Sequence, residues 1–203
     1  MRKHGDTCFF INEFVPKRHK FVSQRNNRLR DFFLACRRKK HSDMEDSMSL
    51  EEDLVRILYE RELRITTAES CTGGMIASTL VNVAGVSDVF DAGYVTYSED
   101  AKIAQLGVKR GTLEKYTVYS EQVAYEMAEG AAKAAGADVA LSVTGIAGPD
   151  GGTPDFPVGM CYIGCYFDGE VVVERYVFEG DRQSVRKQAV EASLELALKT
   201  LGQ

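Results

Sequence analysis

The fold of this chain is decided by the segment Thr66-Thr67-Ala68-Glu69-Ser70-Cys71-Thr72-Gly73-Gly74, which joins an extended apolar run to a helical pattern over residues 75–81. A strand that enters a helix through glycines is the βα unit of an α/β fold. In open α/β sheets such a turn lies at the carboxyl edge, where ligands bind. The segment therefore predicts an α/β domain and places the Ser70 hydroxyl as a candidate nucleophile. The alternative role of Ser70, or of Thr72, is to cap the following helix.

The same alternation of strands and helices continues on both sides of this segment. Before it, Ser49 and Glu52 form a capping-box signature at the start of a helix whose apolar residues recur at helical spacing. The order of the elements predicts a layered α/β domain with a mixed sheet. After the segment, the pattern predicts strands over residues 91–97 and 138–143, helices over 98–107, 120–135 and 181–201, and a hairpin of strands 160–167 and 170–178 about Asp168-Gly169.

Length and composition restrict the class of protein. A chain of 203 residues is long enough for one domain with a buried core, and 44% hydrophobic with 27% charged residues is typical of soluble globular proteins. The apolar runs are too short to span a bilayer, so we expect no membrane segment. Five cysteines without metal-ligand spacing or secretory context favour free thiols in a reducing compartment, and the cytoplasm is the expected location. We expect neither a metal nor a cofactor.

The net charge of -5 is distributed unevenly along the chain. Residues 1–40 contain twelve Lys and Arg against three acidic residues, a balance of +9, so the remainder sums to -14. The overall charge therefore gives no argument for nucleic-acid binding by the protein as a whole, although the basic segment alone could contact phosphates. We expect residues 1–47 to be a disordered basic extension and residues 48–203 to be the domain. The alternatives are an organellar transit peptide and translation from an upstream start codon, since Met44 and Met48 lie just before the first helix.

All three histidines, His4, His19 and His41, precede the predicted domain. A serine nucleophile in this domain therefore has no imidazole as its base, and a lysine or a tyrosine would have to take its proton. Cys71 is the rival nucleophile, but without a histidine its thiolate would depend on a lysine or on a helix amino terminus. A small buried thiol is the simpler interpretation of Cys71.

Tyr97 and Lys102 follow at the next junction between a strand and a helix. Their spacing places the phenol at the strand end and the amine in the first turns of the helix, so both can reach Ser70 if the two junctions are neighbours. A lysine acts as a base only when its pKa falls from about 10.4 toward neutrality, through burial or nearby positive charge. The alternative is an ordinary surface lysine.

The glycine-rich segment 144–152 follows a predicted strand, and its backbone N–H groups could approach an anion. No Gly-Lys-Ser/Thr follows it, so it is not a Walker loop. An oxyanion hole, a phosphate cradle and an ordinary turn are the three interpretations. Arg182 could bind a carboxylate or a phosphate at the start of the last helix, where Asp181 is a candidate cap. Glu69 either supports the site or faces water.

Four motifs, in this order, resemble those of the CinA carboxy-terminal domain family: residues 67–74 (TAESCTGG), 94–98 (YVTYS), 145–152 (GIAGPDGG) and 180–182 (GDR). The resemblance covers residues 49–201. It implies a three-layer α/β/α sandwich, commonly a homodimer, with nicotinamide mononucleotide deamidase activity in pyridine nucleotide recycling. It also places the family's serine nucleophile at Ser70, its tyrosine at Tyr97, its lysine at Lys102 and its arginine at Arg182.

The residues and the resemblance together predict one mechanism. Lys102, directly or through Tyr97, deprotonates Ser70, which attacks the amide carbonyl and forms an acyl-enzyme that water hydrolyses. Backbone donors near Gly73-Gly74 or in the Gly145 loop would hold the tetrahedral oxyanion. The residues expected to bind the substrate are Thr72, Gly73, Gly74, Thr144, Gly145, Gly148 and Arg182.

Two other functions fit the same sequence. The first is a non-catalytic interaction module of this fold, connected with DNA uptake or recombination as the competence name of the family suggests; the presence of Ser70, Tyr97 and Lys102 counts against it. The second is an amidase for another small carboxamide, which would use the same residues with a different cavity wall. Some family members also carry an amino-terminal pyrophosphatase domain, which residues 1–47 are too short to form.

Overall fold

In the computed structural model, which describes residues 48–202, five strands form one mixed sheet. The strands are β1 (Ile65–Glu69), β2 (Phe90–Val95), β3 (Val139–Gly145), β4 (Met160–Phe167) and β5 (Glu170–Val177). Their order across the sheet is β2-β1-β3-β4-β5. β1 is parallel to β2 and β3, whereas β4 runs antiparallel to β3 and to β5. The predicted mixed sheet is confirmed.

Helices cover both faces of this sheet, which gives the expected three layers. The helices are α1 (Leu50–Glu60), α2 (Met75–Val81), α3 (Glu99–Leu106), α4 (Arg110–Tyr116), α5 (Glu121–Ala135) and α6 (Arg182–Thr200). α1, α2 and α6 contribute to one buried apolar cluster, and α3, α4 and α5 contribute to a second. Because helices lie on both faces, β1 and β3 are buried along their whole length, while the edge strands β2 and β5 are largely open to solvent.

Local sequence signals set the bounds of most helices. The predicted capping box is present at the start of α1, where the Ser49 hydroxyl accepts from the Glu52 N–H and the Glu52 carboxylate accepts from the Ser49 N–H. Ser98 and Ser120 cap α3 and α5 in the same way, through one backbone N–H each. The Asp168 hairpin turn is also confirmed, since β4 and β5 are joined there.

The structure differs from the sequence prediction in three places, one of which is that β3 extends to Gly145 rather than ending at residue 143. Helix α4 and a 3-10 turn at Val86–Asp88 were not predicted. Helix α4 buries one side chain, Leu113, and therefore shows no apolar period. Strand β2 begins at Phe90 and ends at Val95 rather than at Tyr97. The chain leaves the ladder after the Thr96 N–H donates to the Glu69 carbonyl oxygen at 2.9 Å, and Tyr97 therefore lies beyond the strand.

The expected basic extension, residues 1–47, lies outside the described residues. Within residues 48–202, no helix combines the length and the apolar character that a membrane crossing requires.

Candidate active site

Ser70 and Lys102 meet at the carboxyl ends of two neighbouring parallel strands. The register pairs Glu69 of β1 with Val95 of β2, so the residues that follow these strands leave the sheet side by side. Helix α3 begins four residues after Val95 and turns Lys102 back over this edge. The Lys102 amine donates to the Ser70 Oγ at 3.0 Å and to the Thr96 carbonyl oxygen at 2.7 Å. Of the two side chains that the sequence expected to converge on Ser70, Lys102 does so, whereas no hydrogen bond among residues 48–202 joins the Tyr97 phenol to the Ser70 hydroxyl.

The Lys102 side chain has no exposed surface. No carboxylate of residues 48–202 lies within ion-pair distance of its amine. Burial lowers the pKa of Lys102 from 10.5 to about 8, against a smaller opposing effect of the Cys71 thiolate and of Glu99. A substantial fraction of the amine is therefore neutral near physiological pH, and a neutral amine in contact with a hydroxyl can accept its proton.

The turn that carries Ser70 is fixed by backbone contacts and by Glu69. The Ser70 N–H donates to the Val143 carbonyl at 3.0 Å, which continues the pairing of β1 with β3. The buried Glu69 carboxylate accepts the N–H groups of Gly74 at 2.9 Å and of Ile76 and Ala77 at the start of α2. Glu69, rather than Ser70 or Thr72, is therefore the cap of α2. The alternative that Glu69 faces water is wrong.

The two glycines of this turn have a conformational role. Gly73 and Gly74 have φ angles of 61° and 94°, a left-handed region that side chains disfavour. Neither residue lines the cavity beside Ser70. Their N–H groups are also engaged, that of Gly73 with the Ser70 carbonyl at 3.1 Å and that of Gly74 with Glu69. They shape the turn that presents the Ser70 hydroxyl.

Tyr97 and Arg182 form a second pair, at the mouth of the site. The Arg182 guanidinium donates to the Tyr97 phenol oxygen at 3.2 Å and to the Gly148 carbonyl at 2.7 Å. The Tyr97 side chain is 64% exposed. Because Lys102 contacts Ser70 directly, this geometry does not require a relay through the phenol. Asp181 caps α6 and Arg182 reaches the glycine loop, where anion binding by Arg182 stays a prediction.

An open cavity of about 410 Å³ connects these two pairs, a volume in the range of small-molecule sites. Among residues 48–202, its charged lining groups are Glu99, Asp150 and Arg182, of which only Arg182 is positive. The sequence prediction included Arg182 but missed both carboxylates and the Tyr119 ring. The chain segments that form its wall are residues 70–71, 97–99, 118–119, 145–148 and 150–151, together with Arg182.

The predicted substrate-binding residues of the segment 144–152 do not all line the cavity. Gly145 and Gly148 line the cavity, whereas Thr144 does not, because its hydroxyl donates to the Val118 carbonyl at 2.8 Å. A Cβ at Gly145 would lie 2.5 Å from the Met160 carbonyl oxygen, so only glycine fits at the end of β3. Thr72 is buried outside the cavity, and its hydroxyl has no hydrogen-bond partner among residues 48–202.

Cys71 is a nearly buried thiol whose residue also lines the cavity. A hydrogen bond with the Cys161 thiol lowers the pKa of Cys71 and raises the pKa of Cys161. Cys161 and Cys165 are both fully buried on β4 and belong to the apolar core. Within residues 48–202, no group of three or more His, Cys, Asp or Glu side chains is placed to hold a metal ion.

Arg186 is a further residue at this site that the sequence did not predict. It lies one turn after Arg182 on α6 and donates to the carbonyl oxygens of Cys71 at 3.0 Å and of Thr72 at 2.7 Å. The available signal was the four-residue spacing of two arginines, which places both on one face of the helix.

Comparison with known proteins identifies curated relatives of this chain. A CinA-like protein of Kosmotoga olearia is 51% identical over 153 residues, and a putative competence-damage inducible protein of Clostridium botulinum is 50% identical over 153 residues. Each alignment covers 75% of this chain and 37% of the relative. The chain thus spans little more than a third of the length of these curated relatives.

Solved structures of related proteins have the same fold. A CinA superfamily protein of Klebsiella pneumoniae superposes with a TM-score of 0.73 at 38% identity, covering 75% of this chain and 95% of that one. The protein CihA of Agrobacterium tumefaciens gives a TM-score of 0.70 at 38% identity, covering 79% of this chain and 100% of that one. The model of the CinA C-terminal domain matches residues 47–201, and the chain belongs to this family.

Proposed function

We propose that this chain hydrolyses the carboxamide of nicotinamide mononucleotide to nicotinate mononucleotide and ammonia, as part of pyridine nucleotide recycling. The observation that carries the proposal is the 3.0 Å contact between the buried Lys102 amine and the Ser70 hydroxyl beside a substrate-sized cavity. A lysine whose pKa is lowered to about 8 has the basicity that a general base needs near neutral pH. Membership of the CinA C-terminal domain family supports the choice of substrate.

The first half of the reaction forms an acyl-enzyme. The Ser70 oxygen attacks the carboxamide carbon while its proton moves to the neutral Lys102 amine, and the carbonyl oxygen becomes an oxyanion. The carbonyl oxygen of Thr96 accepts from Lys102 at 2.7 Å and holds the amine in place throughout. The Lys102 ammonium then protonates the amide nitrogen, the C–N bond breaks, and ammonia leaves.

The second half repeats the proton transfers with water. Lys102, neutral again, takes a proton from a water molecule that attacks the ester carbon. The tetrahedral intermediate expels the Ser70 oxygen, which recovers its proton from Lys102, and the carboxylate product is released. Both halves use Lys102 as the base, with Ser70 as the nucleophile in the first half and water in the second.

Arg182 supplies the contact for the phosphate of the nucleotide in this proposal. It is the positive group of the cavity lining, and it lies in the first turn of α6, where the helix dipole also favours an anion. Its hydrogen bonds to Gly148 and Tyr97 hold the guanidinium beside the exposed Tyr97 residue. The phosphate would then bind at the mouth while the carboxamide reaches the Ser70 hydroxyl.

The test measures ammonia release from nicotinamide mononucleotide by the purified full chain. Ser70→Ala and Lys102→Met should each lower kcat by about 10³-fold or more, since each removes a group that forms or breaks bonds. Ser87→Ala and Lys133→Met are the matched controls, because both side chains are exposed and neither lines the cavity. Size-exclusion chromatography of the same samples tests the homodimer that belongs to this proposal.

The outcomes separate the three candidate functions. Release by the native chain and both controls, but by neither site variant, supports the proposal. Equally low release by all five proteins contradicts it and favours a non-catalytic interaction module. Release from another small carboxamide, but not from nicotinamide mononucleotide, keeps the mechanism and changes the substrate.

A further inference from the structure

The thiols of Cys71 and Cys161 meet across strand β3, next to Ser70. Strand β3 lies between β1 and β4 in the sheet, and its last residue, Gly145, pairs with Cys161 of β4. A Cβ at Gly145 would lie 2.6 Å from the Cys161 Sγ, so this thiol occupies the space that a side chain at residue 145 would take. Cys71 approaches from the other side, because the Ser70 N–H continues the pairing of β1 with β3. A hydrogen bond joins the two thiols.

The two residues differ in their access to solvent. Cys71 is 6% exposed and lines the cavity, whereas Cys161 and Cys165 have no exposed surface and do not line it. These three residues are the free cysteines of the part of the chain that the structure describes, residues 48–202. A small molecule that enters the cavity can therefore reach Cys71, and it finds the Cys161 thiol directly behind.

The surroundings also give the two thiols different reactivity. The hydrogen bond from the Cys161 thiol lowers the pKa of Cys71 against the opposing effect of burial, and the positive charges of Lys102 and Arg182 lower it further. The same contact, together with burial, raises the pKa of Cys161. The thiolate is the form of cysteine that reacts with oxidants, and redox-sensing cysteines have a second thiol beside them. Cys71 is therefore the thiol that reacts first, and Cys161 is the thiol that can react with its product.

We propose that Cys71 and Cys161 form an oxidation site, at which a peroxide converts the two thiols into a disulfide and thereby stops hydrolysis at Ser70 reversibly. Cys71 follows Ser70 directly, so a covalent bond to β4 changes the path of the turn that carries the Ser70 hydroxyl. Transfer of the Ser70 proton needs a separation of about 2.6–3.2 Å from the Lys102 amine, and the reduced protein has 3.0 Å. The disulfide itself does not depend on the proposed function, whereas the stop in hydrolysis rests on it.

The oxidation takes place in two steps. The Cys71 thiolate attacks one oxygen of hydrogen peroxide, the O–O bond breaks, and the leaving hydroxide takes up a proton to become water, so that Cys71 is oxidised by two electrons to a sulfenic acid. The Cys161 sulfur then attacks the Cys71 sulfur and the S–O bond breaks. The hydroxide that leaves takes the Cys161 proton and becomes a second water molecule. Two thiols and one peroxide thus give one disulfide and two water molecules.

The experiment treats the purified full chain with hydrogen peroxide and reads the bond and the reaction separately. Digestion with trypsin and chymotrypsin without reductant, followed by mass spectrometry, identifies the disulfide, and cleavage after Tyr162 separates Cys161 from Cys165. Ammonia release from nicotinamide mononucleotide is measured before peroxide, after peroxide and after dithiothreitol. Cys161→Ala is the test variant. Cys165→Ala is the matched control, because it removes another buried thiol from the same strand.

The native chain should acquire the disulfide between Cys71 and Cys161 and release ammonia about 10²-fold more slowly, the loss that a misplacement of about 1 Å causes. Dithiothreitol should restore its rate, and Cys165→Ala should behave in the same way. Cys161→Ala has no second thiol at this site, so its Cys71 sulfenic acid is oxidised further to the sulfinic acid. Dithiothreitol does not reduce a sulfinic acid, and the rate that this variant loses should not return.

Three results overturn the inference. The first is a peroxide-treated native chain without a bond between Cys71 and Cys161. The second is a native chain that carries this bond and keeps its untreated rate. The third is a Cys161→Ala chain that loses and regains its rate as the native chain does, because the reversible loss would then come from another thiol. If Cys161→Ala does not fold, Cys161→Ser, which keeps the size of the side chain, is judged by the same criteria.

The proposed function fails in a different way. If the untreated chain releases no ammonia from nicotinamide mononucleotide, the rate of Ser70 labelling by a fluorophosphonate, which reacts with activated serines, is measured in its place. Labelling that slows when the disulfide forms and recovers with dithiothreitol shows that the assigned substrate is wrong, and the inference stands. A chain that the probe does not label at Ser70 has no activated serine, and both proposals fall together.

Discussion

The Lys102 amine lies 3.0 Å from the Ser70 hydroxyl at a position with no exposed surface. The two residues are 32 positions apart in sequence, but the parallel pairing of β1 with β2 brings the ends of their strands together. Burial without a carboxylate partner lowers the pKa of this lysine to about 8, between the usual values of a lysine and a histidine.

The pH dependence of the reaction should report the protonation of Lys102. Because only the neutral amine can accept the Ser70 proton, kcat/KM for ammonia release should rise with pH, with a midpoint near the Lys102 pKa of about 8, and level off above it. The measurement is a profile of initial rates between pH 6 and 10, with circular dichroism as a control for folding. A rate that falls across this range would contradict lysine as the base.

The stability of the fold should also depend on Lys102. The folded-state pKa of about 8 lies below the unfolded value of about 10.4, so the unfolded chain binds a proton that the folded chain has lost between these values. The free energy of unfolding should therefore rise with pH from about 8 to 10.4, by up to about 3 kcal/mol at 1.36 kcal/mol per pKa unit. Urea unfolding at several pH values measures it.

Lys102→Met is the matched variant for this stability prediction. It removes the titrating amine and keeps an unbranched side chain in the same buried space. The unfolding free energy of the native chain should rise relative to that of Lys102→Met as pH increases through this window. A difference that is constant with pH would show that Lys102 has the same pKa in both states.

The capping role of Glu69 should appear as a loss of stability in Glu69→Gln. Three backbone N–H groups donate to the buried carboxylate, and an amide group has one oxygen in place of two. The variant should lose about 1–3 kcal/mol in urea unfolding, the cost of a buried donor without its acceptor. Glu129→Gln, an exposed position on α5, should remain within about 0.5 kcal/mol of the native chain.

Gly145 should not tolerate a side chain. A Cβ there would lie 2.5 Å from the Met160 carbonyl oxygen and 2.8 Å from the Cys161 Cα, both of which are backbone atoms that cannot rotate away. Gly145→Ala should therefore destabilise the fold by about 1–3 kcal/mol, as overpacking does. Gly111→Ala is the control with open space around the new methyl group, and in helix α4 it should gain about 0.5–1 kcal/mol. Equal thermal shifts for the two variants would refute the packing argument.

The Cys161 thiol should control the reactivity of Cys71. The hydrogen bond from Cys161 lowers the pKa of Cys71, so Cys161→Ala should move the pH midpoint of Cys71 alkylation upward. Peptide mass spectrometry after timed exposure to iodoacetamide reads Cys71 separately from the other cysteines. Cys165→Ala removes a second buried thiol from the same strand and should leave the midpoint unchanged.

The segments that could be predicted from the sequence carry regular signals. The glycine turn after β1, the serine caps of α3 and α5 and the Asp168-Gly169 hairpin turn each combine one short motif with one local conformation. The contact between Ser70 and Lys102 also follows from the order of the elements along the chain. Two consecutive βα units place their turns together when their strands pair. Helix α4 has one buried side chain, Leu113, and therefore lacked a periodic pattern.

The parts that could not be predicted depend on contacts between distant segments. The hydrogen bond of Arg186 to the Thr72 carbonyl, 114 residues earlier, requires that α6 packs against the Ser70 turn. No local pattern encodes that contact. Glu69 is similar, because a buried strand residue becomes a helix cap only when the turn folds back over it. Asp150 and Tyr119 line the cavity because of the path that their loops take. Neither composition nor spacing provides a signal for such a path.

The site is divided between two halves of the chain. Both partners in the proposed proton transfer come from residues 70–102, whereas Gly145, Gly148, Asp150 and Arg182 come from residues 145–182. Exchanging the 145–151 loop between homologues should therefore redirect the preference for the acyl group while leaving the hydrolytic chemistry intact. Such chimeras offer a route to new amidases in which selectivity and reactivity are optimised separately.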